Sequence, residues 1–213
     1  MMLSKVEYKA LYEPKAEPTI QYIPKLRFIT ITGEGDPNGQ VFQSHVEALY
    51  SISYAIKMSY KKEPPQGYYD YKVFPLEGVW DLVDKTKPIT DKSNYRYHLM
   101  IQQPDFVDED LFDHFQKQVM KKKDNPYLNK LKYAVIEEGW VCQMLHIGPY
   151  DDEPKTFTTM MDYVQSIGYE RIHKGHREIY ISDPRRCEPQ KMKTILRFSI
   201  QKKIKISIQN NYL

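Results

Sequence analysis

Hydrophobic and polar positions alternate in several short stretches of the chain, as they do in half-buried β-strands. LRFITIT at residues 26–32, YYDYKVFPLEGVW at 68–80 and NYRYHLMIQQP at 94–104 show this strand pattern. Over residues 41–62 the apolar side chains recur instead at helical spacing, until prolines stop the pattern. The predicted order in this half is strand, helix, strand, strand.

The second half of the chain repeats this order. Its predicted elements are an extended stretch at 131–150 that turns near Gly139, a helix that ends at Gly168, and strands at 176–182 and 193–203. A helix predicted at 109–123, with acidic residues first and lysines last, joins the two halves.

The repeated order predicts an α+β fold built from duplicated β-α-β-β units with pseudo-twofold symmetry. The half-repeats span about residues 26–104 and 131–201. Because neither half alone would bury much surface, we expect one domain over residues 26–213, after a lead-in at 1–25. We expect a central ligand cleft between the halves, which is a usual location for a small-molecule site.

Charge and cysteine content exclude several classes of protein. The formal net charge of +3 is small against 31 basic and 28 acidic residues, so nucleic-acid binding is not expected. Cys142 and Cys187 match no metal-ligand spacing and suit a reducing cytoplasm. The N-terminus contains no apolar run long enough for a signal peptide or a membrane span. We expect a cytoplasmic protein without a membrane partner.

The stretch HREIYIS at residues 176–182 contains an acidic residue in an otherwise apolar and aromatic strand pattern. His176, Glu178 and Tyr180 share one face of this strand because side chains alternate. We expect the isoleucines to face the helices and Glu178 to point to the opposite side, into the cleft. A carboxylate walled by aromatic rings suits a general base, although a rim glutamate paired with a basic residue gives the same pattern.

Two further stretches offer candidate binding residues. In HIGPYDDEP, at residues 146–154, Tyr150 follows a Gly-Pro bend and could donate a hydrogen bond to a ligand or plug the end of a helix. His146 in the same stretch is either a ligand contact or a strand histidine with satisfied hydrogen bonds. Trp80 follows the bend in FPLEGVWDL and is either a wall of the cleft or a buried core residue.

Signatures of other chemistry are missing from the sequence. The six histidines form no metal-binding helix motif, and there is no nucleophile elbow, P-loop or dinucleotide fingerprint. We therefore expect no metal and no cofactor. The remaining candidate is an aromatic pocket with a carboxylate, suited to binding a planar, hydrophobic or cationic molecule or to activating water against one.

The duplicated layout, HIGPYDDEP and HREIYISDP together resemble the GyrI-like small-molecule-binding family, whose fold is SHS2-type, over about residues 26–200. FPLEGVW, HIGPYDDEP and HREIYISDPRR resemble the stand-alone branch of that family, to which a listerial protein belongs. About 25 residues precede the first predicted strand, too few for a helix-turn-helix domain, so we expect the stand-alone form.

The resemblance implies two possible activities. In the family at large a cleft glutamate among aromatic residues binds lipophilic cations, and Glu178 matches that position. Stand-alone members resemble cyclopropanoid cyclopropyl hydrolases, which open the strained ring of DNA-alkylating natural products such as yatakemycin and so protect the cell. A protein-interaction role such as gyrase inhibition is a third possibility. The oligomeric state is left open.

For the hydrolase, the resemblance implies a base for water and a hydrogen-bond donor for the oxygen that becomes negative. Glu178 would serve as the base, and Tyr150, or second Tyr180, as the donor. The expected ligand-binding residues are Tyr180, Trp80, Trp140, Tyr69 and His146.

Overall fold

A computed structural model of the protein describes residues 5–88, 90–173 and 175–203. The last ten residues of the predicted domain, 204–213, lie outside the described residues. The α-helices are α1 (Lys5–Tyr12), α2 (Gln40–Lys57), α3 (Glu109–Met120) and α4 (Glu153–Ser166). The strands are β1 (Thr19–Ile23), β2 (Leu26–Glu34), β3 (Leu76–Leu82), β4 (Tyr95–Gln103), β5 (Lys132–Ile136), β6 (Gly139–Ile147), β7 (Tyr169–Arg171), β8 (His176–Tyr180) and β9 (Lys193–Lys202).

The strands form one antiparallel sheet in the order β1-β6-β9-β8-β3-β4-β2-β5, and β7 pairs with β9. Each predicted unit places its strands in the same order when the sheet is read outward from the β3–β8 pair. On one side lie β3, β4 and β2, and on the other lie β8, β9 and β6. The predicted fold class, α+β with two strand-helix-strand-strand units, is confirmed.

The helices of the two units, α2 and α4, pack on the same face of the sheet, which we call the front. Helix α2 packs over β2 and β4, and α4 packs over β6 and β7. Met160 and Val164 of α4 join Leu196 of β9 in one buried cluster, while Leu49 and Ile52 of α2 belong to the larger core. Phe42 of α2 contacts Trp80 of β3 and Phe157 of α4 contacts His176 of β8, so the front of β3 and β8 lies between the two helices.

The opposite face, which we call the back, is covered by the N-terminal segment. Leu11 and Tyr12 at the end of α1 are buried in the core. The Tyr12 hydroxyl lies 3.0 Å from Oε1 of Glu77 and also contacts the side chain of Gln102. The predicted lead-in thus contains α1 and β1, whose charged and proline-flanked sequence gave no periodic signal.

The expectation that the isoleucines of HREIYIS face the helices is wrong. Glu178 pairs across the sheet with Gly78 and Leu196, and Leu196 packs against α4. Glu178 therefore faces the front, between the helices, whereas Ile179 faces the back and is fully buried. Because α1 covers the back, both faces of β8 are enclosed, and the alternation of side chains alone does not tell which face the helices cover.

Within the described residues, no helix combines the length and the apolar character that a membrane crossing requires.

Candidate functional site

The front of β8 carries a hydrogen-bonded cluster centred on Glu178. Tyr180 donates its hydroxyl to Oε2 of Glu178 at 2.8 Å. Nε2 of His176 lies 2.8 Å from Oε1, and because a carboxylate only accepts, the histidine is the donor. Both oxygens of Glu178 are thereby fixed in place, and 13% of its side chain is exposed.

Trp80 closes the cluster on the side of β3. Its indole Nε1 donates to the Tyr180 hydroxyl at 2.7 Å, so Trp80, Tyr180 and Glu178 form one chain of hydrogen bonds. The chain passes over Gly78, where an added Cβ would lie 3.0 Å from the indole nitrogen and 3.2 Å from the tyrosine oxygen. A glycine at this position lets the two rings approach the backbone.

Aromatic rings from both units surround this hydrogen-bonded chain. Phe42 of α2 stacks on Trp80 at 5.8 Å between ring centroids, and Tyr95 meets Trp80 edge-on. From the other unit, Phe157 of α4 packs edge-on against His176 at 4.7 Å. The cluster therefore lies where the two halves meet, with an apolar wall on each side.

Tyr150 reaches the same cluster from the turn before α4. Its ring stands perpendicular to that of Tyr180, with centroids 6.2 Å apart. Burial, followed by the negative charges of Glu178 and Glu153, raises the pKa of Tyr150 to about 12. Its hydroxyl therefore keeps its proton at neutral pH and can donate a hydrogen bond.

His146 holds the turn that presents Tyr150. Its Nε2 lies 3.1 Å from the carbonyl oxygen of Pro149 and must donate, and Nδ1 accepts from the hydroxyl of Thr156 at 2.8 Å. Both ring nitrogens are thus used to tie the Gly148-Pro149 bend to α4. The geometry gives His146 a supporting position behind Tyr150, away from the front of β8.

Glu153, the first residue of α4, is the most unusual group in the cluster. It is 7% exposed, and its Oε1 has no hydrogen-bond partner among the described residues. Burial first, then the charges of Glu178 and Asp151, raise its pKa to about 9. The carboxyl of Glu153 therefore holds its proton at neutral pH, while Glu178 accepts hydrogen bonds beside it.

Glu153, His176 and Glu178 are also close enough to be considered as a metal site. One ligand atom from each lies within 4.8 Å of the others. The His176 nitrogen and the Glu178 oxygens, however, already bind each other and Tyr180. In this structure, Nε2 of His176 and both oxygens of Glu178 are engaged in hydrogen bonds.

Three of the sequence-predicted ligand residues lie elsewhere: His146, as described, and Trp140 and Tyr69. Trp140 on β6 is 52% exposed and meets Tyr22 edge-on. Strand spacing places it roughly 15 Å from Glu178, which lies two strands away and four residues along. Tyr69 donates to Asp105 at 3.0 Å and packs on Phe106, beyond the far end of β4.

A shallow groove of about 360 Å³ lies in the region of Tyr69, lined by Pro65, Gln66, Phe106, Asp108, Asp110, Leu111 and His114. It is distant from β8 and contains no cluster of mutually hydrogen-bonded ionisable side chains. Glu178, Tyr150, Tyr180 and Trp80, by contrast, are brought together by the fold, and we take their cluster as the candidate site.

Sequence reasoning missed Glu153, Phe42 and the partnership of His176 with Glu178. His176 carried a signal, since its spacing of two from Glu178 puts both on one strand face. Glu153 is the third acid of the DDEP sequence and resembles an ordinary acidic residue in the first turn of a helix. Phe42 had only the helical pattern expected of a core residue.

Comparison with known families agrees with this geometry. The GyrI-like small molecule binding domain matches residues 16–200. The chain belongs to the GyrI-like family. A protein of this family carries a small-molecule-binding domain, and here the cluster of Glu178 and its aromatic neighbours is its most chemically distinctive feature.

Several solved structures are similar to the chain. The chain is 37% identical to an uncharacterized conserved protein from Listeria innocua, with a TM-score of 0.85. The match covers 92% of this chain and 98% of the listerial one. A hydrolase from Listeria innocua is 35% identical over the same shares of both chains, with a TM-score of 0.83. The EcmrR C-terminal domain, 16% identical with a TM-score of 0.51 over 88% and 98%, shares the fold. No curated protein matches the chain.

Proposed function

We propose that this protein hydrolyses the cyclopropane ring of DNA-alkylating cyclopropanoid compounds of the yatakemycin type and so protects the cell. The observation that carries the proposal is Glu178, a nearly buried carboxylate held by Tyr180 and His176 among aromatic rings. The similarity to a listerial hydrolase supports an enzymatic role. The aromatic walls suit a flat conjugated ring system.

The reaction needs a nucleophilic water and a donor for developing negative charge. Water attacks the methylene carbon of the strained ring, the ring C–C bond breaks, and its electron pair moves through the dienone to the carbonyl oxygen as the ring rearomatises. Each oxygen of Glu178 can accept a further hydrogen bond, so the carboxylate can take the proton that water releases.

In this proposal Tyr150 stabilises the product oxygen. Its hydroxyl stays protonated at neutral pH and can donate to the dienone oxygen as charge develops there. The phenolate leaves or takes a proton from solvent, and Glu178 returns its proton to solvent, so the net change is the addition of one water. Trp80 and Phe42 form an apolar wall beside this chemistry.

The direct test is absorbance against time for a spirocyclopropyl dienone mixed with substoichiometric protein. We expect many equivalents to be converted to the ring-opened alcohol, and Glu178→Gln to slow the conversion at least 100-fold. The matched control is Glu47→Gln, which changes an exposed glutamate of α2 in the same way. Conversion by the wild type no faster than in buffer would exclude the hydrolase function for this substrate class.

A non-catalytic role is the second candidate, because the family is a small-molecule-binding one and the site has an excess of acidic groups. In that case the cluster would bind or sequester a lipophilic or cationic molecule. Saturation at one equivalent without product, with affinity reduced by Glu178→Gln, would favour this role over hydrolysis.

A further inference from the structure

Glu153 is the one group of the cluster that the mechanism above does not use. It contributes a second buried carboxyl to the same site, and its Oε1 has no partner within the part of the chain that the structure describes. A buried polar atom without a partner is costly, and a bound water or ligand is one way in which a native protein satisfies such an atom. Glu153 therefore indicates a binding position for a small hydrogen-bond donor.

The closeness of the two carboxyl groups favours water as that donor. A carboxyl oxygen of Glu153 and one of Glu178 lie within 4.8 Å of each other. Two hydrogen bonds of about 2.8 Å that meet at the tetrahedral angle of a water span roughly 4.6 Å. The upper limit of 4.8 Å keeps the two groups within the reach of a single water that donates one hydrogen to each.

We propose that Glu153 is a second catalytic residue, which accepts one hydrogen of the attacking water while Glu178 accepts the other. This inference rests on the hydrolase function proposed above. With both hydrogens directed at carboxyl groups, a lone pair of the water points away from them and toward the substrate. Two acceptors thereby fix the direction of attack, which a single carboxylate leaves free to rotate.

The charge state of Glu153 fits this role. Its titratable neighbours are His176 and Glu178 from β8 and Asp151 and Tyr150 from the preceding turn. Among these groups a neutral carboxyl still offers a carbonyl oxygen as acceptor but adds no second negative charge. Glu178 is then the only one of the two carboxyls that takes the proton of the water, and the balance of the reaction given above is unchanged.

The test compares Glu153→Gln, Glu153→Leu and Glu178→Gln in the spirocyclopropyl dienone assay. The glutamine keeps a neutral side chain with a carbonyl acceptor, so Glu153→Gln is expected to stay within about threefold of wild type. Glu153→Leu removes the acceptor at similar volume, and we expect kcat to fall at least 30-fold. Quenching of Trp80 fluorescence by the ring-opened product should give the same affinity in both variants.

The outcomes separate this inference from the proposed function. Wild-type turnover with a fully active Glu153→Leu variant would overturn the role of Glu153 and leave the hydrolase intact. A Glu153→Gln variant as slow as Glu178→Gln would also overturn it, because Glu153 would then act as a base. Absence of wild-type turnover would overturn both. If Glu153→Leu fails to fold, Glu153→Met serves as the second variant without an acceptor, with the same expected loss.

Discussion

The two faces of β8 both bury charged side chains, and they differ in how those charges are compensated. On the back, Nη1 of Arg177 donates to Glu77 at 2.7 Å, and Arg197 donates to Glu138 at 2.8 Å. Nε of Arg177 lies 3.0 Å from Glu138, so two positive groups meet two negative ones. On the front, His176 is the basic side chain beside the two acidic groups Glu153 and Glu178 in the part of the chain that the structure describes.

The difference shows which buried charges stabilise the fold and which are available for chemistry. The back network is balanced, and it links α1, β3, β6, β8 and β9 through Tyr12 and the two arginines. The front has an excess of acidic groups and an unpaired carboxyl oxygen in an apolar surrounding, which shifts proton affinities and binds donors. Alternate residues of one strand thus carry a structural network and a candidate site.

The largest effect should come from breaking the balanced network. Arg177→Met leaves Glu77 buried without its arginine and leaves Glu138 with Arg197 alone, and we expect the free energy of unfolding to fall by about 3–5 kcal/mol. Arg185→Met, at an arginine whose side chain is 85% exposed, is the control and should change stability by less than about 0.5 kcal/mol. Urea unfolding measures both. A fall in the free energy of unfolding as small as that of Arg185→Met would show that the charges on the back of the sheet do not stabilise the fold.

A smaller loss is expected on the front when the hydrogen-bonded chain is interrupted. Tyr180→Phe removes the acceptor of the Trp80 indole and one donor to Glu178, and it should cost about 1–3 kcal/mol of stability. Turnover should fall about tenfold, because Glu178 is held by one donor fewer. Tyr54→Phe, at an exposed tyrosine, is the control. Unchanged stability and turnover would show that the hydrogen bonds from Trp80 through Tyr180 do not orient Glu178.

Removing the carboxyl group of Glu153 on the front of the sheet should stabilise the protein. The pKa of Glu153 is raised in the folded state. The folded protein therefore keeps a proton that the unfolded chain releases once the pH exceeds the ordinary pKa of a glutamate. Wild-type stability is therefore expected to fall as the pH rises from about 5 to 9, and Glu153→Gln should remove this fall. We expect the variant to be about 1–2 kcal/mol more stable at pH 8, against no change for Glu47→Gln. Equal pH slopes in wild type and variant would contradict the neutral state of Glu153.

The smallest effect tests the boundary of the site. Trp140→Ala should leave the affinity for the ring-opened product within about twofold of wild type, because Trp140 lies two strands from β8 beside Tyr22. Fluorescence titration, with Trp80 as the remaining reporter, measures this affinity. A loss of more than tenfold would restore Trp140 to the ligand-binding residues predicted from the sequence.

The sequence predicted most strands and helices of both units because their hydrophobic periods are strong. The strand predicted at 68–80 was wrong in its start, since β3 begins at Leu76, and β7 was not predicted. The β2 and β4 strands begin within one residue of the predicted stretches, and the positive φ of Gly168 follows the end of α4 as expected. Glu178, Tyr180, Trp80 and Tyr150 were predicted because acidic and aromatic residues interrupt or follow strand patterns. The features that were not predicted depend on contacts between residues that are far apart in the sequence.

Glu153 illustrates why those features were hidden. Its position in DDEP is ordinary for a helix start, and only the packing of α4 beside β8 buries it next to Glu178. The face of β8 was predicted wrongly for a similar reason. The covering of the back by α1 depends on Tyr12 reaching Glu77, 65 residues away in the chain, which no local period encodes.

Gly78 determines how closely two rings of the candidate site approach the backbone of the sheet. The side chains of Trp80 and Tyr180 pass close to the backbone at this residue. Their distance from the sheet is therefore limited only by the hydrogen atom on the α-carbon of Gly78. A methyl group there would displace both rings without replacing any side chain of the site. The shape of the candidate site can therefore be adjusted from beneath it, through a residue that contributes no side chain to it.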